Sequence, residues 1–414
     1  MNSQTAVRPD ATDAAAPLSE AVGEAFLATL KQKGVDYLFI NSGTDSAPIA
    51  EAYARQHLSG LDFPTPIIGT HENLVVGMAH GYTMVTGKAQ AVMVHVSVGA
   101  ANAVCGVMNA RRDEIPMLFM AGRTPLYEKG PLGARSGAIH WAQEMYDQAG
   151  MVRELVKWDY ELRSGINLDE ILDRGLALSQ AAPAGPVYLT LPREVLAEET
   201  APTPVVSRPP AVPAAPAPAA AEVQSLAELI EQAQCPILVT SGSGRDASTV
   251  APLAALCERF GVGIVEAKSR YVCAPSDHPY HLGQTVHPYL GDADLLICLE
   301  SEVPWLPGTR EPRPETRIVH IGVGNFHRAH QAVYLHELFN QGRDMDFAIL
   351  GAGVLPSDRK MKATLEAQDY LTTVVEQDIN RSAAIVTGPM TGMIAAPDFG
   401  DIIACIHRKD KLLA

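Results

Sequence analysis

Four stretches in the first third of the chain, DYLFIN (36–41), TPIIGT (65–70), AVMVHVSV (91–98) and PMLFMAG (116–122), are apolar along almost their whole length. The segments between them, near 46–58, 73–86 and 100–111, read as helices, as does 18–33 before the first strand. A strand that is apolar on both faces needs cover on both faces. The alternation therefore predicts a parallel sheet with helices packed on each side. GPVYLTLP (185–192) reads as the last strand of this region.

The same pattern restarts after residues 201–222, APTPVVSRPPAVPAAPAPAAAE, which are almost entirely Pro and Ala. Such a stretch supplies few backbone donors and predicts an extended, semi-stiff connector. Beyond it, helix 223–233, strand 235–244, helix 248–260 and strands 261–267 and 293–301 outline a second unit, short for its type. A third begins at RIVHIGVGNFHRAHQ (317–331), continuing with helix 327–340, strand DFAILGAGV (346–354), helix 357–367 and the strand-like YLTTVVEQ and SAAIVTG. The expected class is α/β, in three-layer units with parallel sheets: a tail at 1–17, a domain at 18–200, the connector, a partial domain at 223–316 and another at 317–414.

With 414 residues, 47% hydrophobic and 19% charged, the chain is long enough for several buried cores. A formal charge of -15 argues against nucleic acid or an anionic membrane as partner and leaves a small-molecule cofactor or substrate. The scattered cysteines show no CxxC and no zinc-type spacing, so no metal site is expected, and they read as buried thiols in a reducing, cytoplasmic setting. The N-terminal MNSQTAVRPDATDAAAPLSE has no apolar core and does not read as a secretory signal. Residues 89–110 lack charge, but His95, Ser97, Asn102 and Asn109 favour a buried strand, turn and helix over a membrane span.

The stretch GTHENLVVGMAHGY (69–82) ends a strand and opens a helix, placing Glu72 in the first turn with His71 beside it. A carboxylate there is favoured by the helix dipole whatever its role, and Gly77 and Gly81 are expected to allow close packing. The phrases GVDYLFINSGT, THENLVVGMAHGY, HVSVGAANAV, IPMLFMAG, GAIHWAQEMYDQAGMVRELVKWDYEL and GPVYLTLPREV occur in this order. Together they make 18–200 resemble the N-terminal, pyrimidine-binding domain of thiamine diphosphate enzymes of the acetolactate synthase and benzoylformate decarboxylase kind.

The resemblance implies that Glu72 is the cofactor-activating glutamate, a buried carboxylate that favours the imino tautomer of the aminopyrimidine ring. His71 either assists proton transfer or is a helix-start histidine satisfied by a backbone carbonyl. Asn102 is expected beside the cofactor, or as a helix cap. His140 and Gln143 either face a neighbouring subunit's site or belong to a structural loop, and a homo-oligomer through this domain is implied. Residues 223–316 resemble the central domain of the same enzymes, through SGSGR and SEVPWLPGTREPRP, with no ligand expected there. The GDG motif that holds the metal ion on the diphosphate in these enzymes occurs nowhere in the sequence, so any thiamine diphosphate site is expected to be weak or incomplete.

IVHIGVGNFHRAHQAVYL and FAILGAGVLPSDRKM make 317–414 resemble the N-terminal segment of mannitol dehydrogenases, the long-chain polyol dehydrogenases. The resemblance implies a Rossmann-like NAD site: Gly322 and Gly324 at the pyrophosphate turn with Asn325 and Phe326 beside them, and Asp358 on the adenosine ribose or capping a helix. His327, Arg328 and His330 line the phosphate side or a solvated helix start. That family's catalytic Lys-x4-Asn-x2-His pattern does not follow residue 324, so the NAD site too is expected to be weak and partial. The whole reads as a fusion. Its expected function is of the 2-oxoacid lyase or acetolactate synthase class, incomplete alone, with an NAD-binding dehydrogenase remnant or a non-catalytic interaction protein as alternatives. Strand 317–323 is expected to pair with 346–354 through a local crossover.

Overall fold

The computed structural model describes residues 20–200, 210–212, most of 218–320, residue 340, and the stretches 349–353, 363–378, 381–387 and 390–395. The described residues fall into two compact units, one within 1–215 and the other within 216–414.

In the first unit, β1 (Glu20–Ala21), α1 (Val22–Gln32), β2 (Tyr37–Ile40), α2 (Ala47–Ser59), β3 (Thr65–Ile68) and α3 (Glu72–Thr86) come first. There follow β4 (Gln90–Val94), α4 (Val96–Arg112), β5 (Met117–Arg123), α5 (Ile139–Ala142), β6 (Asp159–Glu161), α6 (Leu168–Gln180), β7 (Pro186–Pro192), α7 (Arg193–Leu196) and β8 (Glu199–Thr200). Six strands form one parallel sheet in the order β3-β2-β4-β5-β7-β6, while β8 returns antiparallel to β1.

Side chains alternate across this sheet, as the strand repeat requires. Leu38, Ala91, Met93, Leu118, Met120 and Leu189 face one core with Phe26, Leu27 and Leu30 of α1. Phe39, Val92, Phe119 and Tyr188 face the other, with Val75 and Val76 of α3 and Val107 of α4. The wholly apolar strands are thus explained by two cores, one on each face. On the α1 side, the Lys33 ammonium is buried and lies 2.7 Å from both Asp169 and Asp173 on α6. Lys33→Ala is expected to destabilise the unit by about 2 kcal/mol, since the carboxylates left behind are partly hydrated, measured as a lower urea midpoint.

Three sequence expectations change here. The run HVSV at 95–98 is not strand: β4 stops at Val94 and α4 begins at Val96, several residues before the expected start. The Val96 N–H is taken by Asp45 at 3.3 Å and the His95 carbonyl by the Gly99 N–H at 2.6 Å, which closes the first helical turn. The edge strand β6, Asp159–Glu161, was not anticipated, because DYE is polar and only half-buried. Gly77 and Gly81 do not mediate close packing, as a Cβ at either meets nothing within 4 Å among the described residues. Gly106 does so instead: a Cβ there would sit 2.8 Å from Asn73 Oδ1 and 2.9 Å from Val76 Cγ1, where α4 crosses α3.

The second unit opens with α8 (Ala220–Gln232), which begins inside the stretch read as an extended connector, so residues 220–222 are helical. Then come β9 (Pro236–Thr240), α9 (Val250–Phe260), β10 (Gly263–Glu266), β11 (Leu295–Leu299) and β12 (Arg317–His320), forming a parallel sheet in the order β10-β9-β11-β12. A parallel pair is made by β13 (Ile349–Gly353) and β16 (Met390–Ala395), and an antiparallel hairpin by β14 (Thr372–Asp378) and β15 (Arg381–Thr387).

The expected pairing of strand 317–323 with 346–354 is not found. Among the described residues, β12 runs beside β11, in register from Leu295↔Arg317 to Cys298↔His320, and β13 pairs with β16. The open edge of β11 offers four matched residues, and Ile318 and Val319 reach the two cores of the three-stranded sheet already present. The cysteines also divide: Cys257 and Cys298 are buried, their thiols pushed up by burial to about 11 and about 12, whereas Cys105 is exposed. Cys405 lies outside the described residues, as does helix 327–340 apart from its last residue.

Candidate functional site

The order in which strands are added to the six-stranded sheet reverses between β2 and β4, because β2 is followed by β3 on one side while β4, β5 and β7 extend the other. Ligands of open parallel sheets bind in the crevice beyond the carboxyl ends of the strands at such a switch point. Two loops leave the sheet there, 41–46 after β2 and 95–96 after β4. They bring Asp45 and His95, fifty residues apart, into direct contact: the Asp45 carboxylate bonds His95 Nδ1.

Asp45 is almost fully buried, and its second oxygen accepts the Val96 N–H. Val96 has φ of +23°, an uncommon conformation for a β-branched residue and one that accumulates at functional sites. The hydrogen bond that His95 Nδ1 donates to Asp45 is the main cause that raises the His95 pKa above its ordinary value; desolvation opposes it, and the charges of Asp45 and Glu72 add to it. A raised folded pKa contributes stability that is fully present below the unfolded histidine pKa and is lost as pH rises through the folded one. Asp45→Asn is therefore expected to be less stable than wild type mainly below about pH 6.5, the gap narrowing at higher pH, as paired urea titrations would record.

Glu72 is the first residue of α3 and is buried, 8% exposed. Its Oε2 accepts a hydrogen bond from Asn102 Nδ2 at 3.2 Å. Asn102 lies in the second turn of α4, so it does not cap that helix. The α3–α4 packing through Gly106 therefore brings together a carboxylate and a carboxamide thirty residues apart. The His71 ring is exposed and caps α3, Nδ1 accepting the Asn73 N–H at 3.1 Å rather than meeting a carbonyl. Its 4.0 Å separation from Glu72 Oε2 is too long for a hydrogen bond.

The loop after β5 covers the same end of the sheet. Gln143 Nε2 lies 3.3 Å from His95 Nε2, and the Gln143 carbonyl accepts from Ser97 Oγ at 2.9 Å. His140 is buried, and its Nδ1 accepts the N–H groups of Ser136 and Gly137 at 3.1 and 3.3 Å. Beneath the loop, Arg193 donates to the carbonyls of Gly133, Ala134 and Thr44. The structure thus groups Glu72 with Asn102, and His95 with Asp45 and Gln143, and sets His71 at the surface. Gly322, Gly324, Asn325, Phe326, His327, Arg328, His330 and Asp358 lie outside the described residues.

Sequence reasoning missed Asp45 and the role of His95. The signal available was weak: GTDS after the first strand and a histidine at the end of another, both at carboxyl ends of strands. Among the described residues no group of three or more His, Cys, Asp or Glu is placed to hold a metal ion, and no helix is long and apolar enough to cross a membrane.

Residues 20–151 match the family described as thiamine pyrophosphate enzyme, N-terminal TPP binding domain, and residues 316–413 match the mannitol dehydrogenase Rossmann domain. The large subunit of acetolactate synthase from Lactococcus lactis subsp. lactis is 26% identical over 285 residues, covering 66% of this chain and 47% of the relative. Mannitol 2-dehydrogenase from Cereibacter sphaeroides is 58% identical over 77 residues, covering 19% of this chain and 16% of the relative. Two solved structures share the fold. The thiamine diphosphate-dependent 4-hydroxybenzoylformate decarboxylase of Rhodococcus jostii RHA1 has a TM-score of 0.59 at 23% identity, over 73% of this chain and 56% of that one. Benzoylformate decarboxylase from Polynucleobacter necessarius has 0.61 at 20%, over 72% and 55%. The chain spans about half the length of these thiamine-enzyme relatives. It carries the two resemblances in sequence: an α/β domain similar to the N-terminal domain of thiamine pyrophosphate enzymes, and a C-terminal segment similar to the Rossmann domain of mannitol dehydrogenases.

Proposed function

We propose that the first unit is the pyrimidine-binding half of a thiamine diphosphate site of the 2-oxoacid lyase or acetolactate synthase class, and that this chain alone is catalytically incomplete. The observation that carries the reading is Glu72, buried at the start of α3 and held by Asn102, beside the switch-point pair Asp45–His95. These groups suit an aminopyrimidine: a carboxylate to share a proton with a ring nitrogen, and polar neighbours to orient it. When bound, thiamine diphosphate supplies a thiazolium carbon able to add to a ketone. The chain's part is to share a proton with the ring at Glu72, to favour the charged form of His95 through Asp45, and to shield that end of the sheet with the loop bearing Gln143.

The diphosphate and its metal ion have no comparable residues here, since the sequence lacks the GDG motif. Those contacts supply much of the affinity for such a ligand through charge-assisted hydrogen bonds. Calorimetry with thiamine diphosphate and magnesium is expected to show no binding near the micromolar range, and pyruvate and benzoylformate are not consumed. Decarboxylation by the purified chain would overturn the reading.

A homo-oligomer through this unit is part of the proposal. Leu74, Met78 and Val85 stand on one exposed face of α3, at helical spacing, with Val98 and Met108 exposed on the adjoining α4. Leu74→Asp with Met78→Asp is expected to convert the sedimenting species to monomer.

The second reading, NAD binding by 316–413, rests on the mannitol dehydrogenase resemblance alone. A dinucleotide unit sets its first strand beside its second. The pairing of β12 with β11, and of β13 with β16, does not fit that arrangement. NAD is therefore expected to bind no more tightly than roughly 0.1 to 1 mM, with no hydride transfer to or from mannitol or fructose.

A further inference from the structure

We propose that Gln143 is a positioning residue that follows the proton on His95, and that His140 fastens the turn that keeps it in reach. Asp45 holds His95 Nδ1, so the state of His95 is expressed at Nε2, where Gln143 is the neighbour. When Nε2 carries a lone pair, the Gln143 amide N–H donates to it; when Nε2 carries a proton, the amide turns and its oxygen accepts. Among the described residues, His95 is the one side-chain neighbour that the amide meets. Its oxygen has no hydrogen-bond partner among the described residues. The backbone, by contrast, is fixed: the Gln143 N–H donates to the Ile139 carbonyl at 3.0 Å and its carbonyl accepts from Ser97 Oγ.

His140 stands three residues earlier on the same turn. Accepting two backbone N–H groups at Nδ1 requires that nitrogen to be unprotonated, so the ring is neutral with its hydrogen on Nε2. Burial, then the charges of Arg193 and Arg135, depress its pKa, with a smaller contribution from His95 and an opposing one from Glu194. The groups facing His95 are the carboxylates Asp45 and Glu72, which favour its cation. Two histidines at one end of the sheet are thereby shifted in opposite directions, His95 toward its cation and His140 toward its neutral form. The inference rests on the proton-handling reading of this site, but its test needs no cofactor.

The full chain labelled with 15N at histidine and glutamine is titrated by NMR. In wild type the Gln143 side-chain amide is expected to move with the same midpoint as His95, while His140 keeps its Nε2–H tautomer throughout. Gln143→Glu, which only accepts and adds charge, is expected to raise the His95 midpoint by about one pH unit or more. Adding His140→Leu abolishes that increment, and adding His140→Asn, which restores an acceptor at the Nδ1 position, keeps it. An unmoved His95 in Gln143→Glu overturns the role of Gln143. A His140 that titrates with His95, or an increment that survives His140→Leu, overturns that of His140. If His140→Leu does not fold, the wild-type tautomer of His140 decides. Failure of thiamine diphosphate to bind leaves all these outcomes readable, so the two proposals fail separately.

Discussion

Ending the chain after Thr316 is expected to abolish the cooperative unfolding of the sheet β10-β9-β11-β12, whereas ending it after Gly324 preserves it. The difference is β12. Without it, β11 loses a parallel neighbour over four residues, and Ile318 and Val319 leave the two cores they pack against. Losing two partly buried aliphatic side chains and a strand's ladder bonds removes on the order of 3 kcal/mol or more, a large share of a domain's net stability. Thermal melts of the two truncated chains, followed by circular dichroism and limited proteolysis, read the result. Equal stability of the two would place the sheet's end at β11 and contradict the observed pairing.

Gly122→Val is expected to disrupt the switch point itself. Gly122 lies near the end of β5, and any Cβ there overlaps the Asp45 carboxylate. Backbone on both sides is tied into the sheet, through Ala121↔Thr190 and Gly122↔Leu191, so the strain falls on Asp45. Overpacking of this kind costs about 3 kcal/mol. It also moves Asp45 off His95, which removes the main cause raising the His95 pKa, so the variant's midpoint falls toward the ordinary histidine value. Urea unfolding and the same histidine titration check the two effects independently. A stable variant with an unmoved His95 would show that the loop carrying Asp45 is not clamped by β5.

Much of the fold was legible because its strands are apolar throughout, a pattern that only a sheet covered on both faces explains. Legibility failed where tertiary contacts override a local pattern. AVMVHVSV is uniformly apolar apart from His95 and Ser97, yet a buried carboxylate from fifty residues earlier captures the Val96 N–H and starts a helix in mid-run. The strand at 317–320 satisfies either of two partners equally well in sequence; the local crossover rule favoured one, and the open edge of β11 took it. The place of Glu72 at a strand-to-helix turn was readable in sequence, and Asn102 was singled out by the resemblance; the structure adds that the two are hydrogen-bonded. Asp45 was not readable, since an aspartate in GTDS looks like ordinary turn chemistry until β2 and β4 are known to be neighbours.

The central claim is that this chain offers the pyrimidine side of a thiamine diphosphate site without the metal-diphosphate side. Saturation-transfer NMR with thiamine diphosphate, with and without magnesium, on wild type and Glu72→Leu, tests it most directly. The expected result is weak contact to the aminopyrimidine protons, unaffected by magnesium and lost in Glu72→Leu. Magnesium-dependent binding near the micromolar range, or pyrimidine contacts that persist in Glu72→Leu, would contradict it.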